Sequence, residues 1–162
     1  NEVRKLLINV GIENIPESVP IILINDKIEL NRIANIKLSD GIQGYTKYDY
    51  QKIGRKKINQ RFTIYILSNL HKINFKAVLA HEMLHVYLFN NEIQLRESLI
   101  EGFCNLGSAF IYNMYRDNKI AQLKINSMFK DDHPEYGKGF RIMNSKLKKR
   151  GWNYILQNLE QY

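Results

Sequence analysis

Residues 78–88 read Val78-Leu79-Ala80-His81-Glu82-Met83-Leu84-His85-Val86-Tyr87-Leu88. Three ionisable side chains interrupt an otherwise apolar run. On a helix, positions i and i+4 share a face, so His81 and His85 point the same way. Polar side chains inside an apolar helix need partners. Two neutral imidazoles on one face can grip a single Zn²⁺ at about 2.0–2.1 Å. Glu82, one residue past the first histidine, is then placed to touch a water held by the metal rather than the metal itself. A core histidine pair with a salt-bridged glutamate is the plain alternative, and the residues downstream favour the metal.

A catalytic zinc takes three protein ligands and keeps one position for water. Leu95, Leu99, Phe103, Leu106 and Phe110 recur at three-to-four spacing and predict a helix over 95–115. Ile100, Cys104, Ala109 and Ile111 occupy its other faces, so it should run through the interior. Glu97 and Glu101 lie on it, four residues apart. Glu101 is flanked by Leu99, Ile100, Gly102 and Phe103, with no Lys or Arg at i±3 or i±4. A buried carboxylate needs a cation, and zinc would supply one. Gly102 removes a side chain beside the ligand and permits close approach of the two helices. Glu97 starts the helix beside Arg96, where its charge favours the helix dipole. It is the fallback ligand.

His81-Glu82-x-x-His85 is the ligand-and-base pattern of zinc metallopeptidases. The expectation is one Zn²⁺ per chain on His81, His85 and Glu101, a gluzincin-like set. Glu82 would take a proton from the metal-activated water and pass it to the leaving amine. A second donor would hold the oxyanion. Tyr136 is the first choice, with His133 and Arg141 as further site-associated candidates near the same loop. The partner expected is a protein or peptide substrate, paired by strand addition to the run Phe62–Leu67 that precedes the zinc helix.

The rest of the chain predicts an α+β fold of zincin-like build, a small N-terminal sheet followed by a helical zinc-binding half, with residues 1–162 as a single domain. Helices are expected over 3–10, 29–36, 75–89 with Asn74 as N-cap, 119–129, 140–149 and 152–159. Ile21–Ile24 reads as a fully buried strand and 42–50 as a second strand. A basic turn surrounds Gly54, Ser39-Asp40-Gly41 is turn chemistry, and 131–137 is a loop. His71 reads as structural or exposed.

With 162 residues, 44% hydrophobic and 25% charged, composition is that of a globular chain. Cys104, the single cysteine, excludes an internal disulfide framework and reads as a small core residue. No second cysteine supports it as a zinc thiolate. No run approaches the 18 to 20 or so apolar residues of a membrane span, and no signal peptide opens this stretch, which points to a cytoplasmic setting without a membrane partner. The opening residue is Asn1 rather than Met, as in a processed form or an excised domain. The net charge of +8 is spread out, with knots at Arg55-Lys56-Lys57 and Lys146–Arg150, and reads mainly as a solvated face. A nucleic-acid reading would use Lys47, Tyr48, Tyr50, Lys52 and Arg55–Lys57 through phosphate contacts and base stacking. It ranks below the metal reading.

Leu79–His85 followed by Ile100-Glu101-Gly102-Phe103-Cys104 resembles the DA1-like peptidase domain, a zinc metallopeptidase in which a Glu-Gly-x-Cys segment follows the zinc helix. Tyr136-Gly137-Lys138-Gly139-Phe140-Arg141 is similar to that family's C-terminal Tyr-Gly-x-Gly-Phe-Arg motif. Val19–Leu23 and the Gly44 strand fit its upstream pattern. The resemblance covers nearly the whole chain. It implies His81, His85 and Glu101 as ligands, Glu82 as acid/base, and Tyr136 and Arg141 near the site. The family often has two adjacent glutamates before the glycine; here the first is Ile100. Residues 1–162 do not include the LIM and ubiquitin-interacting modules of plant members, so the regulation and substrates of those members are not expected to transfer. A zinc-binding interaction or regulatory module of the same build, with little activity, is the alternative; an intact Glu82 argues against it.

Overall fold

Two runs rich in β-branched and aromatic residues, β2 (Gly44–Ile53) and β3 (Lys56–Leu67), close into a long antiparallel hairpin in the computed structural model, which describes residues 2–36 and 41–161. Gly54-Arg55 makes the two-residue turn, with Ile53 opposite Lys56. The ladder slips between Asp49 and Gln51, where Asn59 takes a left-handed φ of 53°. This is a β-bulge, which sharpens the local twist of the hairpin. The third strand, β1 (Ile21–Ile24), pairs parallel with β3, giving the order β1-β3-β2.

That order corrects two expectations. The strand β1 is an edge rather than a fully buried element, with Ile22 42% and Leu23 55% exposed. Only Ile24 is buried, in a small cluster with Leu30 and Leu67. A four-residue apolar run cannot reveal whether its second face is covered. The strand β3, expected to receive substrate over Phe62–Leu67, is paired on both edges from Ile64 to Leu67, with β1 on one side and β2 on the other, so most of that run cannot take a further strand.

Six helices complete the chain among the described residues: α1 (Glu2–Asn9), α2 (Lys27–Ala34), α3 (Lys72–Asn90), α4 (Glu97–Met114), α5 (Lys119–Lys130) and α6 (Gly139–Gln157). Asp26 caps α2 by accepting from the Ile28 N–H, and Asn118 caps α5 by accepting from Ile120 and Ala121. The N-cap of α3 is His71, whose Nδ1 accepts from the Ile73 N–H at 3.3 Å, and not Asn74. Asn74 lies one turn inside, buried, and its Oδ1 accepts from the Tyr112 hydroxyl while its amide donates to Gln43. The expected 131–137 loop is in part helical, with a π-type turn over Pro134–Lys138 leading into α6. The two terminal helices expected run together across a kink at Gly151 (φ 77°), followed by a 3₁₀ turn at Leu159–Gln161. Ser39 and Asp40 of the expected turn lie outside the described residues. No helix among the described residues is long and apolar enough to cross a membrane.

The main core forms on both sides of α3, between it and the inner face of the sheet at Ile64 and Ile66, and between it, α4 and α6 around Leu84, Phe103 and Phe140. As its all-round apolar pattern predicts, α4 runs through this interior. Gly102 does serve a close approach, but to α6: a Cβ there would lie 2.4 Å from the Gly139 backbone, and one at Gly139 would lie 1.9 Å from the Ser98 carbonyl oxygen. The approach of α4 to α3 is made instead at Gly107, against Ala80 and Leu84. Gly139→Ala is therefore expected to lose about 1–3 kcal/mol or more by overpacking backbone against backbone. A urea midpoint unchanged from wild type would show that α6 can back away from α4 freely.

Candidate metal centre

Along α3 the residues 79–80, 82–84 and 86–88 are buried, whereas Val78, His81, His85 and Phe89 remain partly open. These four fall on one stripe of the helix. The helix is thus covered everywhere except along the line that carries both imidazoles. Across that line stands α4, with Glu101 as its facing side chain. His81 Nε2 lies 3.4 Å from Glu101 Oε2, and His85 Nε2 lies 3.5 Å from Glu101 Oε1. The two Nε2 atoms are 3.1 Å apart. All three side chains keep only 13–15% exposure.

These separations test whether the residues suit a zinc ion. Ligands at 2.0–2.1 Å in a tetrahedron stand about 3.3–3.4 Å from one another. The observed 3.1, 3.4 and 3.5 Å are close to that spacing, with each ring nitrogen facing a different oxygen of Glu101. The remaining nitrogen of His81 supports the same orientation: Nδ1 faces Asn105 Oδ1 at 3.1 Å. As an amide oxygen can only accept, Nδ1 carries a proton, which leaves Nε2 as the nitrogen that could ligate a metal once its own proton is displaced. Asn105 also donates through its amide to the Tyr136 carbonyl oxygen at 3.3 Å. It therefore ties a ligand ring to the segment that bears Tyr136.

The electrostatics ask for a positive charge at this point. Burial pulls His81 down, but the hydrogen bond to Glu101 and the charges of Glu82 and Glu101 outweigh it, so the ring holds a proton above its usual range. Burial, then the neighbouring His81 charge, push His85 down to about 4. Burial alone would raise Glu101; the His81 contact and charge, then His85, hold it below the ordinary carboxylate range. The shifts of His81 and Glu101 both favour the charged pair, while that of His85 favours the neutral ring. A divalent cation would occupy the same place as the proton that charges His81.

Glu82 sits beside this line on α3, turned towards β2. It is 5% exposed, and its Oε2 accepts from the Thr46 hydroxyl at 2.7 Å. The same hydroxyl lies 3.0 Å from the Glu82 carbonyl oxygen. Burial raises the Glu82 carboxyl, and His81 and Thr46 offset this only in part. Gly44 makes room for the carboxylate: a Cβ there would lie 2.7 Å from Glu82 Oε1. Cys104, expected to be a core residue, is buried as such, yet its sulfur belongs to the same cluster, within 4.8 Å of the two ring nitrogens. Burial, then the charges of Glu101 and Glu82, raise its thiol well above the usual range, so it stays protonated. His81, His85 and Cys104 thus form one group that could hold a metal, and Glu101, held ionised against both rings, offers the alternative third ligand.

The other candidates sit further out. Glu97 is exposed at the first position of α4 and does not join the cluster. His133 and Tyr136 form a ring pair, centroids 4.9 Å apart, on the exposed turn that Asn105 anchors. Arg141 donates from Nη1 to the carbonyl oxygens of Asp131 and Phe129, clamping the C-terminal end of α5 to the start of α6. Its observed task is to hold the Tyr136 turn in place, one step removed from the ligands. Sequence reasoning missed Asn105 and Thr46. Asn105 had a signal, since Glu97, Glu101 and Asn105 recur every fourth residue on a helix otherwise nearly apolar. Thr46 had none, because nothing local ties a strand threonine to a residue 36 positions on.

Comparison with protein-family models, with curated proteins and with solved structures finds no match to this chain. The functional reading rests on the geometry above and on the three motif segments.

Removing the amide that orients His81 should loosen metal binding without dismantling the fold. Asn105→Ala is expected to weaken zinc affinity by about 10–100-fold, measured by competition with a chromophoric chelator. Wild-type affinity in this variant would mean that His81 is oriented by packing alone.

Proposed function

We propose that this chain is a zinc-dependent metallopeptidase of zincin-like, DA1-like build that hydrolyses peptide bonds in protein substrates. The observation that carries the reading is the convergence of His81 Nε2, His85 Nε2 and both Glu101 oxygens at edges of 3.1–3.5 Å. When bound, zinc supplies a Lewis acid for the scissile carbonyl and makes water a nucleophile near neutral pH.

The protein's own groups do the rest. Glu82 takes a proton from the attacking water as its oxygen bonds to the carbonyl carbon, then delivers it to the amine nitrogen as the C–N bond breaks. Thr46 suits both states of that carboxyl. It donates to Oε2 when Glu82 is ionised; when Oε2 is protonated, that O–H can donate to Thr46 while Thr46 turns its own proton to the Glu82 carbonyl oxygen. The raised Glu82 carboxyl favours a group that both accepts and returns a proton near neutral pH. Tyr136 is the proposed second donor to the oxyanion, since Asn105 couples its backbone to His81.

Substrate backbone would lie along β2 rather than β3. Among the described residues β2 is hydrogen-bonded on one side only, to β3, and it carries Gly44 and Thr46 past Glu82. An extended peptide can add to such an edge.

Separate substitutions test the ligands and the base. His81→Ala and His85→Ala should abolish stoichiometric zinc by elemental analysis, and Glu101→Gln should weaken it strongly while Glu97→Gln should not. Glu82→Gln should keep the metal and lose about 10²–10⁴-fold in peptide turnover. Full zinc in both histidine variants would refute the centre. Undiminished turnover by Glu82→Gln would remove Glu82 from the chemistry.

A further inference from the structure

The outer part of the β2–β3 hairpin is strongly cationic, and it starts at the candidate centre. Segment 47–61 holds six cations, Lys47, Lys52, Arg55, Lys56, Lys57 and Arg61, against the single carboxylate of Asp49. Fifteen residues therefore carry five of the eight net charges of the chain. Lys47 pairs with Asp49 at 3.1 Å, and Lys57 with Glu92 at 3.6 Å. Among the described residues, Lys52, Arg55, Lys56 and Arg61 form no ion pair. Like charges concentrated on a thin ribbon repel one another and have no folding role to offset that.

A chain of rings joins this arm to the ligands. His85 stacks on Phe89 at 6.0 Å, Phe89 on Tyr48 at 5.3 Å, and Tyr48 meets Tyr50 at 4.9 Å. Beyond Tyr48, the five residues to Ile53 span about 16 Å at roughly 3.3 Å each. Tyr50 and Ile53 are 39% and 67% exposed. The edge of β2 thus runs from Glu82 past His85 and out along a ribbon that is cationic, with apolar side chains between the charges.

We propose that this arm is a recognition element for an acidic segment of the protein substrate, which continues outward from the scissile bond along the β2 edge. The word substrate here rests on the metallopeptidase reading. An acidic peptide fits because backbone pairing along β2 would carry its side chains past the unpaired cations, with Tyr50 and Ile53 taking apolar neighbours. A nucleic acid fits less well. Binding without base-specific contacts relies on open aromatic faces, and here Tyr48 is stacked between Phe62 and Phe89 while Lys57 lies over the rings of Tyr48 and Tyr50.

The test uses zinc-loaded Glu82→Gln protein and two fluorescein-labelled peptides that differ only in a run of glutamates replaced by glutamines. The glutamate peptide is expected to bind about tenfold tighter at low salt, and the difference should collapse as ionic strength shortens the Debye length to a few ångström. The triple change Lys52→Glu, Arg55→Glu, Lys56→Glu should erase or invert the preference while zinc uptake persists, which shows that the variant is folded. Equal binding of the two peptides overturns the proposal. So does tighter binding of a short single-stranded oligonucleotide, or of phosphatidylserine vesicles, than of the glutamate peptide. Active protein separates the two readings. Hydrolysis of both peptides at equal rates removes the arm's role and leaves the peptidase standing. Acid-selective binding with no hydrolysis removes the peptidase and leaves a docking arm for acidic peptides.

Discussion

Two imidazole nitrogens and a carboxylate face one another across the contact between α3 and α4, and the surrounding fold is arranged to keep them there. Groups of this kind are costly to bury unless each finds a partner. The chain offers them no lysine or arginine; what it offers is each other, plus Asn105 behind His81. Such a set is balanced only when one positive charge sits among them. Every close approach nearby preserves the geometry. Gly107 sets α4 against α3, and Gly102 with Gly139 sets α6 against α4. The Arg141 clamp then fixes the turn through which Asn105 reaches Tyr136.

The helical half of this arrangement could be read from the sequence with little loss. Apolar periodicity located α3, α4 and α5 to within two or three residues, and the four-residue spacing of His81 and His85 determines their shared face whatever the tertiary context. Glu101 was legible for a related reason: a carboxylate among apolar neighbours and without a basic residue one turn away must look across to another element. What failed were judgements that depend on a second chain segment. Asn74 has the chemistry of an N-cap, yet Tyr112, 38 residues away, engages its Oδ1 inside the core, and His71 caps the helix. Ile21–Ile24 has the composition of a central strand and lies at an edge, because strand order is decided by which partners pair, not by the strand's own residues.

The same point governs the sheet's relation to the centre. Proximity in sequence suggested β3, the strand that leads directly into α3. Once β3 pairs with β1 on one side and β2 on the other over Ile64–Leu67, the backbone donors and acceptors next to α3 are spent. The strand that borders the cleft is β2, brought there by the hairpin turn at Gly54-Arg55. It can lie against α3 because Gly44 has no side chain to meet Val78 and Glu82, and it stays in register because Thr46 bonds Glu82 and Tyr48 stacks on Phe89.

Those three contacts also fix a direction. Gly44, Thr46 and Tyr48 meet residues 78–82, 82 and 89 in that order, so strand and helix run the same way, about 13 Å of one beside about 16 Å of the other. A peptide added antiparallel to β2 would therefore bring its later residues towards Gly44 and leave its earlier ones towards the hairpin tip. On the proposed peptidase reading, the cationic arm would then lie on the N-terminal side of the scissile bond, and a parallel addition would place it on the C-terminal side. Substrate polarity and charge preference are thus linked through one strand, and knowing either would determine the other.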